Sequence, residues 1–295
     1  MRFPRRHLLT LLPLLCLALL LPASAGPLKV ISWNMEWFPG HRPTASAAEA
    51  DQHMKGCQEA LKAMDPDVFI GVEINDWDAF HEVCSVVPGL VVHVVSSFRD
   101  PMTGVIRPQQ IGIASKLKCL GAGWEAWKAN VPNISRGFSY TALENPAGPL
   151  LMVYGNHLKS NRGSNDPAGA KNVADMRNEQ AAQLLSHCKE MAVAYKDHKI
   201  GGWVLGGDFN TNHDGQFPLC KVISILTTGG FTNTWQDVPK DQRLTWHPAP
   251  KTPFQATTFD YLLAKDLGPL KAELIPQPLN LSDHAAIMLK LPSAP

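Results

Sequence analysis

The sequence carries no surplus of charge of either sign: 27 Lys and Arg stand against 26 Asp and Glu in 295 residues. Broad electrostatic capture of nucleic acid or of an anionic membrane is therefore not indicated, and only a local basic groove could serve such a partner. Cysteine is sparse, with six residues and no pair at the spacing of a zinc site, which argues against a structural metal held by thiolates. Repeats and long low-complexity linkers are missing between residues 28 and 291, which favours one domain over 26–295 rather than two. No apolar run reaches the roughly 20 residues that span a membrane. The longest, Leu8 to Leu21, is shorter and interrupted by Pro13.

That run has another reading. Arg2, Arg5 and Arg6 precede it and Ala23-Ser24-Ala25 follows, the order of a secretory signal, so residues 1–25 are expected to be removed and the chain secreted or periplasmic. A lipoprotein anchored at Cys16 is disfavoured, because Leu15 stands where a small residue is wanted. Losing three arginines and no acids leaves 24 basic and 26 acidic residues, a formal charge of −2. Cys57, Cys84, Cys119, Cys188 and Cys220 remain. An oxidising compartment would allow two bridges with one thiol over, but spacing does not choose the pairs.

Apolar residues make up 45% of the chain, enough for a substantial core. Lys29–Trp33 and Val68–Val72 read as strands, and between them Ala50, Met54, Cys57, Leu61 and Met64 recur at helical spacing until Pro66. Residues 77–87 read as a helix, and 90–97 and 111–115 as strands. In "FSYTALENPAGPLLMVYGN" two strands flank the turn residues 145–149, a β-hairpin. A helix of about 25 residues is expected from Val173, bearing Met176, Ala181, Leu184, Leu185 and Cys188 on one side. Trp203-Val204-Leu205 follows, then strands at 244–247, 257–263 and Ala286–Leu291. Strands interspersed with helices and a clear hairpin predict a mixed α/β sandwich.

The strand endings carry the chemistry. Asn34 and Glu36 follow "VISW", Glu73 follows "VFIGV", His157 follows "LLMVYGN", Asp208 and Asn210 follow "WVLGG", Asp260 opens "DYLLAK", and Asp283-His284 precedes the last strand. Singly, each is an ordinary cap or turn residue. Together, at the ends of strands in one sandwich, they can assemble a polar pocket. Its carboxylates and amides suit a hard divalent cation rather than a soft one. A hard cation beside paired histidines is the equipment of phosphate-ester hydrolysis.

In order along the chain, "VISWNMEWF", "DVFIGVEI", "IGIASK", "YGNHLKS", "GGDFNTN", "TWHP", "TFDYLLA" and "LSDHAAI" resemble the endonuclease/exonuclease/phosphatase superfamily, to which pancreatic deoxyribonuclease belongs. The resemblance implies a four-layered α/β sandwich with two central mixed β-sheets flanked by helices, and Mg2+, Mn2+ or Ca2+ as cofactor. It implies Glu73 as the principal metal carboxylate, with Asn34 beside it and Asp283 as a further metal-site acid. Asp208 would orient or deprotonate the attacking water and Asn210 would hold it and the phosphate. His284 would act as base or phosphate contact, oriented by Asp260. His157 would be the second histidine, which the abasic-site repair branch usually replaces with asparagine. Lys159 and Ser160 would meet substrate phosphates, and Arg177 on the following helix would reach the site or form a salt bridge.

The "HLKSN" segment and the Arg-bearing helix after it are similar to secreted bacterial nucleases. A monomeric nuclease, acting on DNA rather than RNA and not stably anchored in a membrane, is the expected function. A sphingomyelinase or phospholipase C, reaching lipid through Trp124 and Trp127, is the principal rival, followed by an inositol or nucleotide phosphatase and by a non-catalytic binding module. Asn133 and Asn280 stand in glycosylation-acceptor tripeptides, and Asn280 is expected to be bare because a glycan there would crowd the site.

Overall fold

The structure is a computed structural model that describes residues 26–100, 102–128, 136–145, 148–252, 254–276, 278 and 280–292. The expected signal segment and the Asn133 tripeptide lie outside the described residues. Buried β-branched and aromatic runs build two sheets. In the first, Leu28–Phe38 (β1), Val68–Ile74 (β2), Val91–Val95 (β3), Gln110–Ser115 (β4), Ala272–Ile275 (β10) and Ala286–Leu291 (β11) lie in the order β10-β11-β1-β2-β4-β3. In the second, Cys119–Ala126 (β5), Gly137–Glu144 (β6), Leu150–His157 (β7), Ile200–Asp208 (β8) and Asp260–Lys265 (β9) follow one another in chain order.

Four helices flank them. Ala47–Met64 (α1) and Trp77–Cys84 (α2) share an apolar cluster with Phe69 and Ala114 of the first sheet. Pro167–Ala194 (α3) and Val222–Thr228 (α4) cover the second sheet through Ala181, Leu184 and Leu226. Between the sheets Ile70, Val72 and Ile111 meet Val153, Leu205 and Leu262. The result is the expected four-layered sandwich of two mixed sheets between helices.

Local signals explain the element ends. Ser46 and Glu49 form a reciprocal capping box at the start of α1, and Asp65 closes it in the left-handed conformation ahead of Pro66. α3 begins at Pro167, well before the expected Val173, because the Asp166 side chain accepts a bond from Gly169 N at 2.9 Å and proline suits the first helical turn. The second half of the polar segment 162–171 is therefore helical. The expected strand at 244–247 is reduced to single pairings of Trp246 with Thr257 and His284, and the strand expected from 257 begins at Asp260. All five described cysteines are free thiols, so neither bridge anticipated from the secretory reading forms.

Topology gathers the polar strand ends at one edge. β1 and β2 run parallel, as do β7 and β8, so Asn34, Glu73, His157 and Asp208 all stand at or near carboxyl-terminal ends. Across the second sheet His157, Asp208 and Asp260 are in register, in one row. β11 is antiparallel to β1, which brings the preceding Asp283-His284 back beside Asn34. Close approach of the sheets requires glycine at the centre. A Cβ on Gly155 would lie 2.7 Å from Ile111 and 2.8 Å from Ile70, and one on Gly206 2.5 Å from Ile70. Gly155→Val is accordingly expected to destabilise the fold by about 1–3 kcal/mol in urea unfolding, the usual cost of overpacking; an unchanged midpoint would contradict this account of sheet spacing.

Candidate active site

A cleft of about 730 Å³ opens where the strand ends meet. Its centre is Asp208, whose Oδ1 accepts from Asn210 N at 2.8 Å and whose Oδ2 accepts from Asn34 Nδ2 at 3.2 Å. Two imidazoles approach the same Oδ2, His157 Nε2 at 3.4 Å and His284 Nε2 at 4.0 Å. Behind His284, Asp260 Oδ2 lies 2.7 Å from Nδ1. Glu73 Oε2 accepts from Trp37 N at 3.0 Å, and its Oε1 is 3.5 Å from Asn34 Nδ2 and 3.8 Å from His157 Nε2. Asp283 is held by the Trp246 indole at 2.8 Å, with its other oxygen 3.9 Å from His284 Nε2.

The backbone departs from regular strand geometry here. Glu36, Trp37, Glu73 and Asn210 have φ of 48°, 51°, 61° and 51°, values that cost a non-glycine residue about 1–3 kcal/mol each. Register shifts in β1 between Asn34 and Phe38, and in β2 between Val72 and Ile74, accompany them. Such irregularities at strand ends re-aim side chains, and they turn Glu73 into the cleft.

Burial separates the protonation states. Removal from water, followed by the charges of Arg136 and His284, holds His157 well below the ordinary imidazole range. Burial also works against charge on His284, but Asp260, then Asp208 and Asp283, outweigh it and raise that ring. Glu73, Asp208 and Asp283 are all raised, first by burial. The two imidazoles that approach Asp208 are thus shifted in opposite directions.

The donor set fits a hard cation. Raised carboxylates facing one cleft are what a missing positive charge would stabilise, and the oxygens of Glu73, Asp208 and Asp283 are hard ligands. Among the described residues no three His, Cys, Asp or Glu side chains converge tightly enough to enclose an ion alone. Glu73 is the strongest candidate ligand, since its Oε1 has only long contacts, to Asn34 Nδ2 at 3.5 Å and His157 Nε2 at 3.8 Å.

The other expected residues divide. Ser160 and Asn210 line the cleft. Lys159 instead turns its ammonium to the Ser160 carbonyl at 2.9 Å, and burial with Arg136, Arg177 and Arg162 nearby lowers its pKa to about 8. Arg177 is buried away from the cleft; it donates to the Lys159 carbonyl and, at 2.8 Å, to Asn161 Oδ1, so it makes neither the expected site contact nor a salt bridge. Asn178 binds Leu219 O and Lys221 N.

The residue missed in sequence is Arg136. It lines the cleft, is fixed by Gln109 and the Leu158 carbonyl at 2.9 Å, and faces Glu73 and Asp208 electrostatically. It sits between strands with no periodic pattern around it. The partners of Glu36, a strand-end residue singled out in the sequence, were also missed. Glu36 Oε2 takes His41 Nδ1 at 3.0 Å and Asp283 N at 3.2 Å, while His53, stacked on His41, bridges Gly40 N and Leu281 O at 2.8 and 2.7 Å. These contacts clamp the loop after β1 to the segment bearing Asp283 and His284.

No family model and no curated protein sequence matches the chain. Solved structures do match its fold. An endonuclease/exonuclease/phosphatase family protein from Bacteroides thetaiotaomicron aligns with a TM-score of 0.63 at 17% identity, covering 90% of this chain and 94% of that one. The human Nocturnin catalytic domain with bound sulfate gives 0.64 at 17%, covering 90% and 93%. A Bacteroides thetaiotaomicron mannosyl-6-phosphatase gives 0.62 at 15%, covering 90% and 99%. The chain therefore has the fold of the endonuclease/exonuclease/phosphatase proteins, as its motifs implied.

The His284–Asp260 pair yields a direct test. In wild type the His284 ring is expected to remain protonated at pH values where a free imidazole, with a pKa near 6.5, has lost its proton. Asp260→Asn removes the principal charge that raises it, so the ring should titrate lower by NMR and hydrolysis should slow by about 10–100-fold, as for other histidine-orienting carboxylates. An unshifted ring would refute the pairing.

Proposed function

We propose that the chain is an exported, divalent-metal-dependent phosphodiesterase whose substrate is nucleic acid, DNA before RNA. The observation that carries this reading is the pair of imidazoles, His157 and His284, that flank Asp208 Oδ2 at 3.4 and 4.0 Å, with the Arg136 guanidinium lining the same cleft. A divalent cation bound at Glu73 would supply positive charge beside the phosphate and help neutralise the charge that develops during displacement. Asp208, whose raised pKa makes it a competent base, takes the proton of the attacking water. Arg136 and Asn210 hold the phosphate oxygens, and the His284 imidazolium donates to the charge building on phosphorus-bound oxygen. The neutral His157 ring has no partner at Nδ1, so a proton on Nε2 points at Asp208 and fixes that carboxylate's orientation.

The cleft walls support a nucleic acid. Ser160, Asn161 and Arg162 form a polar rim suited to a phosphate backbone. Opposite them, Trp246 lies 6.3 Å from Phe254, which is 66% exposed and free to stack on a base. The lipid reading is weaker, because Trp127 packs inside against Phe138 and leaves Trp124, edge-on to Phe98 and 40% exposed, as the one accessible tryptophan of that pair.

Turnover of plasmid DNA, RNA, sphingomyelin and mannose 6-phosphate, with Mg2+ and with chelator, tests the proposal. DNA hydrolysis should require the cation and fall by about 10²–10⁴-fold in Asp208→Ala and in His284→Ala, the usual range for acid–base groups. Turnover of the lipid or sugar phosphate with intact DNA would overturn the nucleic-acid assignment, and no turnover of any substrate would overturn the phosphoesterase reading itself.

A further inference from the structure

A second pocket of about 270 Å³ adjoins the cleft, between the first turns of α3 and the loop 216–220. Asn161, Ser164, Gln216 and Phe217 line both spaces, so the smaller one is a side chamber of the larger. Its walls differ from those of the cleft. Ala170, Val173 and Ala174 of α3 face Pro218 and Leu219 across it, and Leu219 remains 51% exposed at the rim. The volume lies just below the roughly 300 Å³ at which small-molecule sites begin, enough for one flat ring system and too small for a strand of polymer.

Arg177 closes the chamber. Its side chain is 1% exposed, and among the described residues no carboxylate comes within ion-pair distance. A buried guanidinium without an acid is costly to keep, because the charge has lost water and gained no counter-charge. Two of its five N–H groups go to Lys159 O and Asn161 Oδ1, and the group also meets the Cys220 thiol and lies 5.6 Å from the Phe217 ring centroid. Arg177 also lines the chamber. Apolar side chains on two walls, a guanidinium in the lining and the amides of Asn161 and Gln216 on the boundary with the cleft match a heteroaromatic ring that presents carbonyl oxygens on one edge.

We propose that this side chamber is a nucleobase subsite that receives the base next to the scissile phosphate, with Arg177 selecting bases that carry a ring carbonyl, guanine and thymine over adenine. The proposal rests on the nucleic-acid reading of the cleft and adds a source of sequence preference to it. Bases enter between α3 and Leu219; Asn161 at the shared boundary links base and phosphate positions.

Binding measurements separate this from catalysis. Calorimetry would compare deoxyguanosine 5′-monophosphate, deoxyadenosine 5′-monophosphate and base-free deoxyribose 5-phosphate on the full chain, on Ala170→Leu, which fills the chamber from the helix, and on Leu219→Glu, which places an acid at its exposed rim. The guanine base should improve affinity about tenfold over the base-free sugar phosphate in wild type and exceed adenine. In Ala170→Leu the ratio should fall to near one, and in Leu219→Glu it should shrink. No gain from the base in wild type, or a gain that survives Ala170→Leu in a folded protein, overturns the subsite. Base-dependent binding by a chain that leaves plasmid DNA intact would keep the subsite and remove the nuclease assignment.

Discussion

The side-chain amide of Asn34 is the point through which the two sheets share one site. Its Nδ2 lies 3.2 Å from Asp208 of the second sheet and 3.5 Å from both Glu73 of the first and His284 beyond it. One neutral donor therefore stands among two acids and an imidazole. It can occupy that place only because Gly155 and Gly206 let the sheets approach, and because parallel pairing brings the carboxyl ends of β1, β2, β7 and β8 to the same edge. The Asn34 carbonyl in turn accepts from Ser282 Oγ at 2.7 Å, which ties the same residue to the Asp283-His284 segment.

Around this node the site concentrates what a core normally avoids. Buried acids and left-handed backbone at five non-glycine positions line one cleft, with an unsatisfied Asp260 oxygen behind it. Each is a cost, and the surrounding apolar clusters offset it. What the arrangement gains is separation of function between like groups. Asp260 behind His284 raises that ring against the effect of its burial, whereas burial, with Arg136 and His284 nearby, lowers His157. Residues alike in sequence are thus shifted in opposite directions by their neighbours.

Much of the architecture could be read from the chain. "LLMVYGNH" and "WVLGGD" are apolar runs stopped by polar residues, and both became buried strands ending in the cleft. The helix α3 was legible only where its apolar periodicity begins, since its first turns lie against solvent and loop. β5 escaped because glycines and an edge position dilute its pattern. The strand expected at 244–247 failed because Pro248 and Pro250 follow it and the segment has one pairing on each side. Arg177 shows the larger limit. Its type suggested a phosphate contact or an ion pair, whereas it is buried and donates to the Lys159 carbonyl and the Asn161 side chain, partners that only tertiary structure defines. Arg136, from an unpatterned connection, had no sequence signal at all.

The central proposal is a cation site organised by Glu73. Electron paramagnetic resonance of Mn2+ titrated into the wild-type chain and into Glu73→Gln measures that directly. A single bound ion per chain in wild type, displaced by Mg2+ and lost in the variant, is the predicted result. No bound ion in wild type, or equal binding when the Glu73 carboxylate is gone, would contradict it.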